Sequence, residues 1–133
     1  MPSFLSPVLN DPAEGWTLGN RRNQRVVAAS IETAFDSESR RRGLLGRDGL
    51  AEGTALIIAP CPSIHTFFMR FPIDVIFASR EGRIVKLCHG VRAWRIAIGW
   101  GAFAAIEMAV GAIARADCLK GDYLELMRQS GQG

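Results

Sequence analysis

The stretch from Ser63 to Phe77 combines the densest apolar patterning of the chain with several isolated polar residues. After His65 its odd positions are apolar, whereas its even positions include polar side chains. This alternation predicts a β-strand with one face toward a core. Because Pro72 has no N–H to donate to a sheet, we expect either two strand segments joined by a bend or one edge strand with a break.

Similar patterns elsewhere predict further short strands separated by glycine, proline and polar residues. Asp36 is a good N-cap, and the arginines that follow predict one short helix between Asp36 and Gly46, with a helical turn near residues 113–116. The loop at residues 80–82 favours an exposed hairpin, because its glycine can take a left-handed conformation. The other predicted strands cover residues 16–18, 24–33, 55–59, 83–89, 94–98, 103–110 and 123–127.

Many short strands with one short helix predict a mainly β fold, a single-domain antiparallel sandwich or jelly-roll-like barrel. The length of 133 residues and the hydrophobic content of 48% suit one globular domain with its own core. Three prolines and weak periodicity predict a loose segment over residues 1–15. We expect the β-rich domain to cover residues 16–128 and a flexible end to cover residues 129–133.

Composition narrows the classes of protein to consider. No apolar run approaches the ~18 residues that cross a bilayer, and no signal-peptide pattern opens the chain, so we expect a cytoplasmic protein, or an extracytoplasmic one if a signal was removed. The three cysteines include no C-x-x-C pair, which argues against a disulfide framework or structural zinc. The net charge is +3 and no groove-reading motif accompanies the arginines, so nucleic acid is not an expected partner.

Six groups of residues carry a resemblance: RRGLLGR at 41–47 with Leu50, IHTFFMRFPIDVIF at 64–77, GRIV at 82–85, WR at 94–95, IE at 106–107 with Gly111, and GD at 121–122. From about residue 26 to residue 126 the chain resembles the domain-of-unknown-function 192 family. The resemblance implies a compact, mainly β fold, a mostly bacterial or archaeal origin and no established activity. The chain departs from the family pattern at Ala93, where proline is usual, and at residues 108–109, where Leu-Pro is usual.

Isolated polar or aromatic residues in these strands are candidates for ligand binding: His65, Thr66, Arg70, Trp94 and Glu107. A lone histidine on an apolar face is more often a core residue bonded to backbone than a ligand-binding group, and Thr66 is most simply a strand residue. Glu107 lies in an apolar run, where a carboxylate needs either a partner or a cavity.

Two interpretations of Glu107 follow from that requirement. It forms a structural ion pair with Arg70, Arg92 or Arg95, or it lines a binding pocket. We hypothesise that Glu107 and His65 lie at one pocket, because both are polar exceptions in very apolar strands. Asp74 follows Arg70 closely in sequence, and the two are expected to pair.

The sequence predicts no catalytic residues, metal site or cofactor. A metal site would need His65, His89, Asp74 and Glu107 to converge, and the H-x-H spacing of metal-binding jelly rolls is absent. Cys61 precedes His65 by four residues, which would separate them in an extended chain and disfavours a nucleophilic pair. No G-x-S-x-G or H-E-x-x-H motif is present.

Three hypotheses about function remain open. The leading one is a non-enzymatic binding or accessory module, in which a polar groove with Trp94 as an aromatic wall takes a small-molecule or peptide ligand. The second is a hydrolase-type enzyme that uses His65 with Glu107 or Asp74 as general acid and base. The third is a purely structural protein whose polar residues are satisfied within the fold.

Overall fold

Ten short strands and three short helices are present in the computed structural model, which describes residues 3–11 and 15–129. The mainly β fold class is confirmed, although these residues contain three short helices rather than one. In chain order the elements are α1 (Ser6–Asn10), β1 (Trp16–Asn20), β2 (Val26–Ala28), β3 (Ser30–Ala34), α2 (Ser37–Arg42), β4 (Thr54–Ile58), β5 (Ser63–His65), β6 (Ile73–Ala78), β7 (Ile84–Val91), β8 (Ile96–Ile98), β9 (Ala104–Ala109), α3 (Ala112–Arg115) and β10 (Leu124–Arg128).

A five-stranded sheet in the order β3-β4-β9-β6-β7 forms the centre of the domain. Its pairs are antiparallel except β3 with β4, which run parallel. A three-stranded sheet, β10-β1-β2, and a two-stranded ribbon, β5-β8, accompany it. None of these sheets closes into a barrel, so the described chain consists of open, stacked sheets rather than a jelly-roll barrel.

The central stretch splits between two sheets. β5 pairs with β8 in the ribbon, whereas β6 lies between β9 and β7 in the five-stranded sheet. Pro72 precedes β6, as expected for a residue that cannot donate to a sheet. The prediction of one core-facing side is wrong for β6, because every residue of this strand is buried. Both faces of the five-stranded sheet are covered, and a strand in the middle of such a sheet has no solvent side.

Alternate residues of the central strands feed two separate cores. Ile57 and Ile106 belong to the first core, which also contains residues of the three-stranded sheet, of α3 and of the segment before β1. Phe77 belongs to the second core, which contains Leu44 from the segment after α2 and residues of the ribbon. Leu5 and Val8 of the N-terminal segment are buried in the first core, which is more order than the sequence indicates. The division at residues 15–16 and 128–129 stays a prediction.

Helix α2 begins where the sequence predicts. The Asp36 carboxylate accepts a hydrogen bond from the Ser39 N–H at 2.8 Å, and this bond lowers the pKa of Asp36. The helix ends at Arg42, earlier than predicted, because Gly43 adopts φ +46° and stops it. Leu44 therefore lies beyond the helix, where it is buried and anchors the segment to the second core.

Candidate ligand pocket

The strand alternation of β9 places Glu107 on the second-core face of the central sheet. Ile106 and Met108 point into the first core, so the residue between them points the other way. Glu107 lies opposite Leu56 of β4 on one side and Val75 of β6 on the other. Its side chain is flanked by apolar strands, and only 5% of the residue is exposed.

A cavity of about 140 Å³ opens beside Glu107. The end of α2 and the segment after it form one wall, β5 and the loop before it form another, and Met69 contributes a further apolar side chain. His65 lines this cavity together with Glu107, so the two residues border one cavity.

The Glu107 carboxylate has no hydrogen bond or salt bridge to any residue in the described part of the chain. No fully buried polar side-chain atom there lacks a partner, so both Glu107 oxygens retain contact with the pocket. Burial raises the pKa of Glu107 to about 7, and the attraction of Arg47 opposes this only in part. Arg47 itself forms a bidentate pair with Glu32, with N–O distances of 2.7 and 3.2 Å.

None of the three arginines predicted as partners of Glu107 pairs with it. Arg70 instead binds Asp48, with 2.8 Å between guanidinium and carboxylate. Arg95 donates weak bonds, at 3.5 Å, to the carbonyls of the two preceding residues, and Arg92 makes no ion pair with a described residue. The ion-pair interpretation of Glu107 with these arginines is therefore wrong, because all three lie exposed in turns, Arg70 after β5 and Arg92 and Arg95 before β8.

Asp74 has a structural role, but its partners are backbone N–H groups and not Arg70, the partner expected from the sequence. Its carboxylate accepts hydrogen bonds from the backbone N–H groups of Gly90 at 2.8 Å, Gly111 at 3.0 Å and Ile113 at 3.1 Å. These bonds join β6 to the end of its neighbour β7 and to the start of α3. The expected pair with Arg70 is absent from the structure, and Asp74 does not line the pocket.

His65 connects the pocket to an aromatic surface. The residue is exposed rather than part of the core, and its Nδ1 accepts a long hydrogen bond, 3.4 Å, from the Phe67 N–H. The His65 ring stacks on Phe67 at 4.9 Å, and Phe67 stacks on Trp94 at 5.6 Å. Trp94 also contacts Phe68 at 4.6 Å between ring centroids. Trp94 is thus connected to His65 through Phe67 but does not line the cavity, so it does not form the expected aromatic wall of the pocket.

Thr66 is buried and holds the turn that carries Trp94. Its hydroxyl donates to the Arg92 carbonyl at 2.6 Å and accepts from the Arg95 N–H at 2.9 Å. Its backbone carbonyl accepts from the Trp94 N–H at 3.0 Å. These bonds satisfy the polar groups of Thr66 inside the protein, so its contribution to the surface is one of positioning.

Cys61 lines the same pocket as His65, although their spacing predicts separation. The chain bends before β5, and this bend brings the two together. The Cys61 thiol donates to the Ser63 carbonyl at 3.0 Å, and burial raises the pKa of the thiol. A protonated, hydrogen-bonded thiol is a poor nucleophile.

Three consecutive arginines form the rim at the end of α2. Arg40 donates to the Phe35 carbonyl at 2.7 Å, and Arg42 lies 3.4 Å from Glu38. Arg41 forms no hydrogen bond or ion pair with any described residue, so its charge is available to the pocket. In the sequence these arginines form only a charged run, because the residues next to them give no sign that they line the same pocket as Glu107.

The described residues hold no group of three His, Cys, Asp or Glu side chains placed to bind a metal ion. Nor do those residues include a helix long and apolar enough to cross a membrane.

A family model described as "Uncharacterized ACR", that of the domain-of-unknown-function 192 family, matches residues 19–126. The chain belongs to this family. Three segments that resemble the family's motifs, residues 41–47, 64–77 and 106–107, meet at the pocket, since each supplies part of its lining. No curated protein matches the chain.

Two solved structures share the fold. A protein from Sinorhizobium meliloti 1021, provisionally named a transcription regulator, is 21% identical, with a TM-score of 0.74 over 84% of this chain and 92% of that one. A protein of unknown function from Novosphingobium aromaticivorans DSM 12444 is 22% identical, with a TM-score of 0.69 over 84% of this chain and 83% of that one. At these identities the likeness concerns the fold alone.

Proposed function

We propose that the chain is a non-enzymatic binding module whose ligand pocket has Glu107 at its base. This proposal rests on the Glu107 carboxylate: the residue is only 5% exposed, makes no hydrogen bond or ion pair with a described residue, and faces a cavity. Burying a carboxylate without a partner is costly, so a protein that keeps one has a use for it. A bound ligand would supply the missing partner.

The Glu107 carboxylate at the bottom of the pocket indicates a ligand whose head is a hydrogen-bond donor, such as an amine or a guanidine. A cationic donor compensates the buried negative charge and favours the ionised form of Glu107. The cavity of about 140 Å³ has room for a head of several heavy atoms, since each water in the liquid takes up about 30 Å³. The ligand is therefore a small molecule or the end of a larger one, such as a peptide.

The rim supports recognition of a second group on the same ligand. Arg41 faces the pocket with an uncompensated positive charge, and His65 adds a further polar atom at the wall. An anionic group of the ligand would pair with Arg41 while its donor head meets Glu107. Such a two-point arrangement favours compounds that carry both charges.

A hydrolase-type enzyme is the second candidate, favoured by one observation. His65 and Glu107 share the pocket, and a pKa of about 7 suits a general acid or base at neutral pH. The pocket supplies no activated nucleophile, because the Cys61 thiol is protonated and bonded to a carbonyl. We expect no hydrolysis of p-nitrophenyl acetate that requires both His65 and Glu107. If the wild type hydrolyses this ester at a measurable rate and Glu107→Gln loses that rate, the enzyme is favoured instead.

The test of the binding module is an NMR titration of the protein with methylguanidinium and, separately, ethylammonium. We expect saturable shifts of the amide signals of Gly43 and His65, at millimolar midpoints typical of such small ions. Glu107→Gln should remove the shifts, whereas Glu81→Gln, an exposed carboxylate in the β6–β7 hairpin, should keep them. Absence of saturable shifts with both ions, or their persistence in Glu107→Gln, would reject the proposal.

A further inference from the structure

Five large apolar side chains of β8 and of the turns that flank the β5-β8 ribbon are exposed to solvent. We call them the aromatic strip, and their exposed fractions are unusually high: Phe68 72%, Trp94 55%, Ile96 64%, Ile98 37% and Trp100 84%. Soluble proteins rarely present so many large apolar side chains together without a partner.

The backbone holds this strip outward. Ile96 and Ile98 flank the buried Ala97 in β8, so strand alternation turns both isoleucines to the same outer face. Phe68 and Trp94 adopt left-handed conformations, with φ of +64° and +65°, which are uncommon for residues with bulky side chains. Strained conformations of this kind persist where the surroundings impose them, and they concentrate at functional sites.

The segments that carry the strip contain basic residues and no acidic one, and Arg70 alone of these basic residues pairs with a described carboxylate, that of Asp48. Residues 61–73 and 82–102 contain no aspartate or glutamate, but they contain five arginines and lysines: Arg70, Arg83, Lys86, Arg92 and Arg95. The Lys86 ammonium donates to the Ile98 carbonyl at 2.9 Å, which places it at the strip. Lys86 and Lys120 also line a shallow depression together with Ile98 and Trp100.

From this combination we infer that the aromatic strip docks the protein onto an anionic lipid bilayer. Tryptophan and phenylalanine enter the headgroup region readily, and isoleucine reaches the acyl chains below it. Arginine and lysine beside them are attracted to the negative surface potential of anionic lipids. The depression with two lysines offers a site for a lipid phosphate.

Charge and shape together favour a bilayer over a folded protein as the occupant. The most exposed members of the strip project from turns at both ends of β8, and projecting apolar side chains insert into a fluid interface without needing a complementary surface. The inference does not depend on the ligand pocket, because none of the five strip residues lines it. Bilayer docking and ligand binding can therefore fail separately.

The test is co-sedimentation of the full chain with vesicles of phosphatidylcholine alone and with vesicles that contain about one third phosphatidylglycerol. We expect binding to the anionic vesicles, little binding to the neutral ones, and weakening by salt. Trp100→Ser combined with Ile96→Ser should weaken binding about tenfold or more. Leu9→Ser combined with Val26→Ser removes two exposed apolar side chains elsewhere, with exposed fractions of 56% and 53%, and should leave binding unchanged.

A second pair of variants tests the charge. Lys86→Gln with Lys120→Gln should weaken binding to anionic vesicles more than Arg25→Gln with Arg115→Gln, which removes the same charge outside the strip. Binding that is absent with anionic vesicles, or equal with neutral ones, would overturn the inference. Concentration-dependent self-association abolished by the Trp100 and Ile96 replacements would assign the strip to a second copy of the chain instead, and saturable binding of poly-glutamate would assign it to an acidic protein segment.

Discussion

At the scale of single residues, two buried carboxylates on the central sheet have opposite surroundings. Asp74 accepts three backbone hydrogen bonds, which stabilise its negative charge. Glu107, one position from it in the strand register, accepts none from the described residues and faces a cavity. The first is part of the architecture, and the second is a group that the fold leaves available.

Glu107→Gln should change the pH dependence of stability. Because the pKa of Glu107 is raised from 4.5 to about 7, the folded chain holds this proton more tightly than the unfolded chain. The contribution of Glu107 to the free energy of unfolding is therefore fully present below pH 4.5. It is lost as the pH rises through 7, and the loss is on the order of 3 kcal/mol. Urea unfolding from pH 5 to 8 should show this decline in the wild type and a weaker one in the variant.

The same replacement distinguishes a hydrogen-bonded glutamate from one without a partner. If Glu107 made a charged hydrogen bond, its change to glutamine would lower the free energy of unfolding by about 1–3 kcal/mol. Because Glu107 has no such bond, we expect the change to leave the stability of the protein unaltered, or to increase it, above pH 7. Glu81→Gln, at an exposed position, controls for the change of charge. A parallel pH dependence in wild type and Glu107→Gln would contradict the raised pKa.

Asp74→Asn should destabilise the fold strongly. The amide keeps one acceptor but turns an N–H₂ group toward backbone donors, and we expect a loss of about 3 kcal/mol or more. Chemical denaturation measures the effect. Asp48→Asn removes a carboxylate from the exposed pair with Arg70 and should cost at most about 1 kcal/mol. Equal losses in the two variants would show that the three backbone bonds to Asp74 add little.

At the scale of elements, the turns after β5 and before β8 act as one unit. Thr66 bonds to residues 92 and 95 through its hydroxyl and to Trp94 through its backbone, and it thereby couples the ribbon to the aromatic strip. Two residues of this unit have left-handed backbone conformations. A side-chain hydroxyl at one position thus supports the conformation of two turns.

Thr66→Val should destabilise the protein and loosen the Trp94 turn. Valine keeps the shape of threonine but leaves the Arg95 N–H and the Arg92 carbonyl without their partner, at a cost of about 1–3 kcal/mol. The tryptophan emission of the folded variant should shift as Trp94 moves. Thr33→Val, at an exposed position of β3, is the control and should leave both quantities unchanged. Identical stability of the two variants would count against the role of the hydroxyl.

Gly99→Ala tests the packing between the ribbon and the central sheet. A Cβ at this position would lie 2.4 Å from Phe77, a fully buried side chain of β6. This clash is relieved only if the core shifts, so we expect the free energy of unfolding, measured by thermal unfolding, to fall by about 1–3 kcal/mol. Gly49→Ala has open space around it and should change stability little. A variant at residue 99 as stable as the wild type would mean that the ribbon packs loosely.

At the scale of the whole molecule, local patterns predicted most elements and the shared pocket. The helix cap at Asp36, the break at Pro72 and the positions of His65 and Glu107 follow from alternation and from the cost of burying charge. The bound partners of Arg70 and Asp74 could not be predicted, because they depend on which strands and turns meet in space. Sequence distance alone also misplaced Cys61, since a bend cancels the extended spacing.

The most direct test of the proposed binding module is the pKa of the Glu107 carboxyl, measured by ¹³C NMR in the free protein and with methylguanidinium at saturation. We predict a pKa of about 7 in the free protein, because burial disfavours the charged form of Glu107 and the attraction of Arg47 opposes this only in part. Methylguanidinium should lower this pKa clearly, because a bound cation favours the ionised form. A free pKa near 4.5, or one that methylguanidinium does not change, would contradict the central claim.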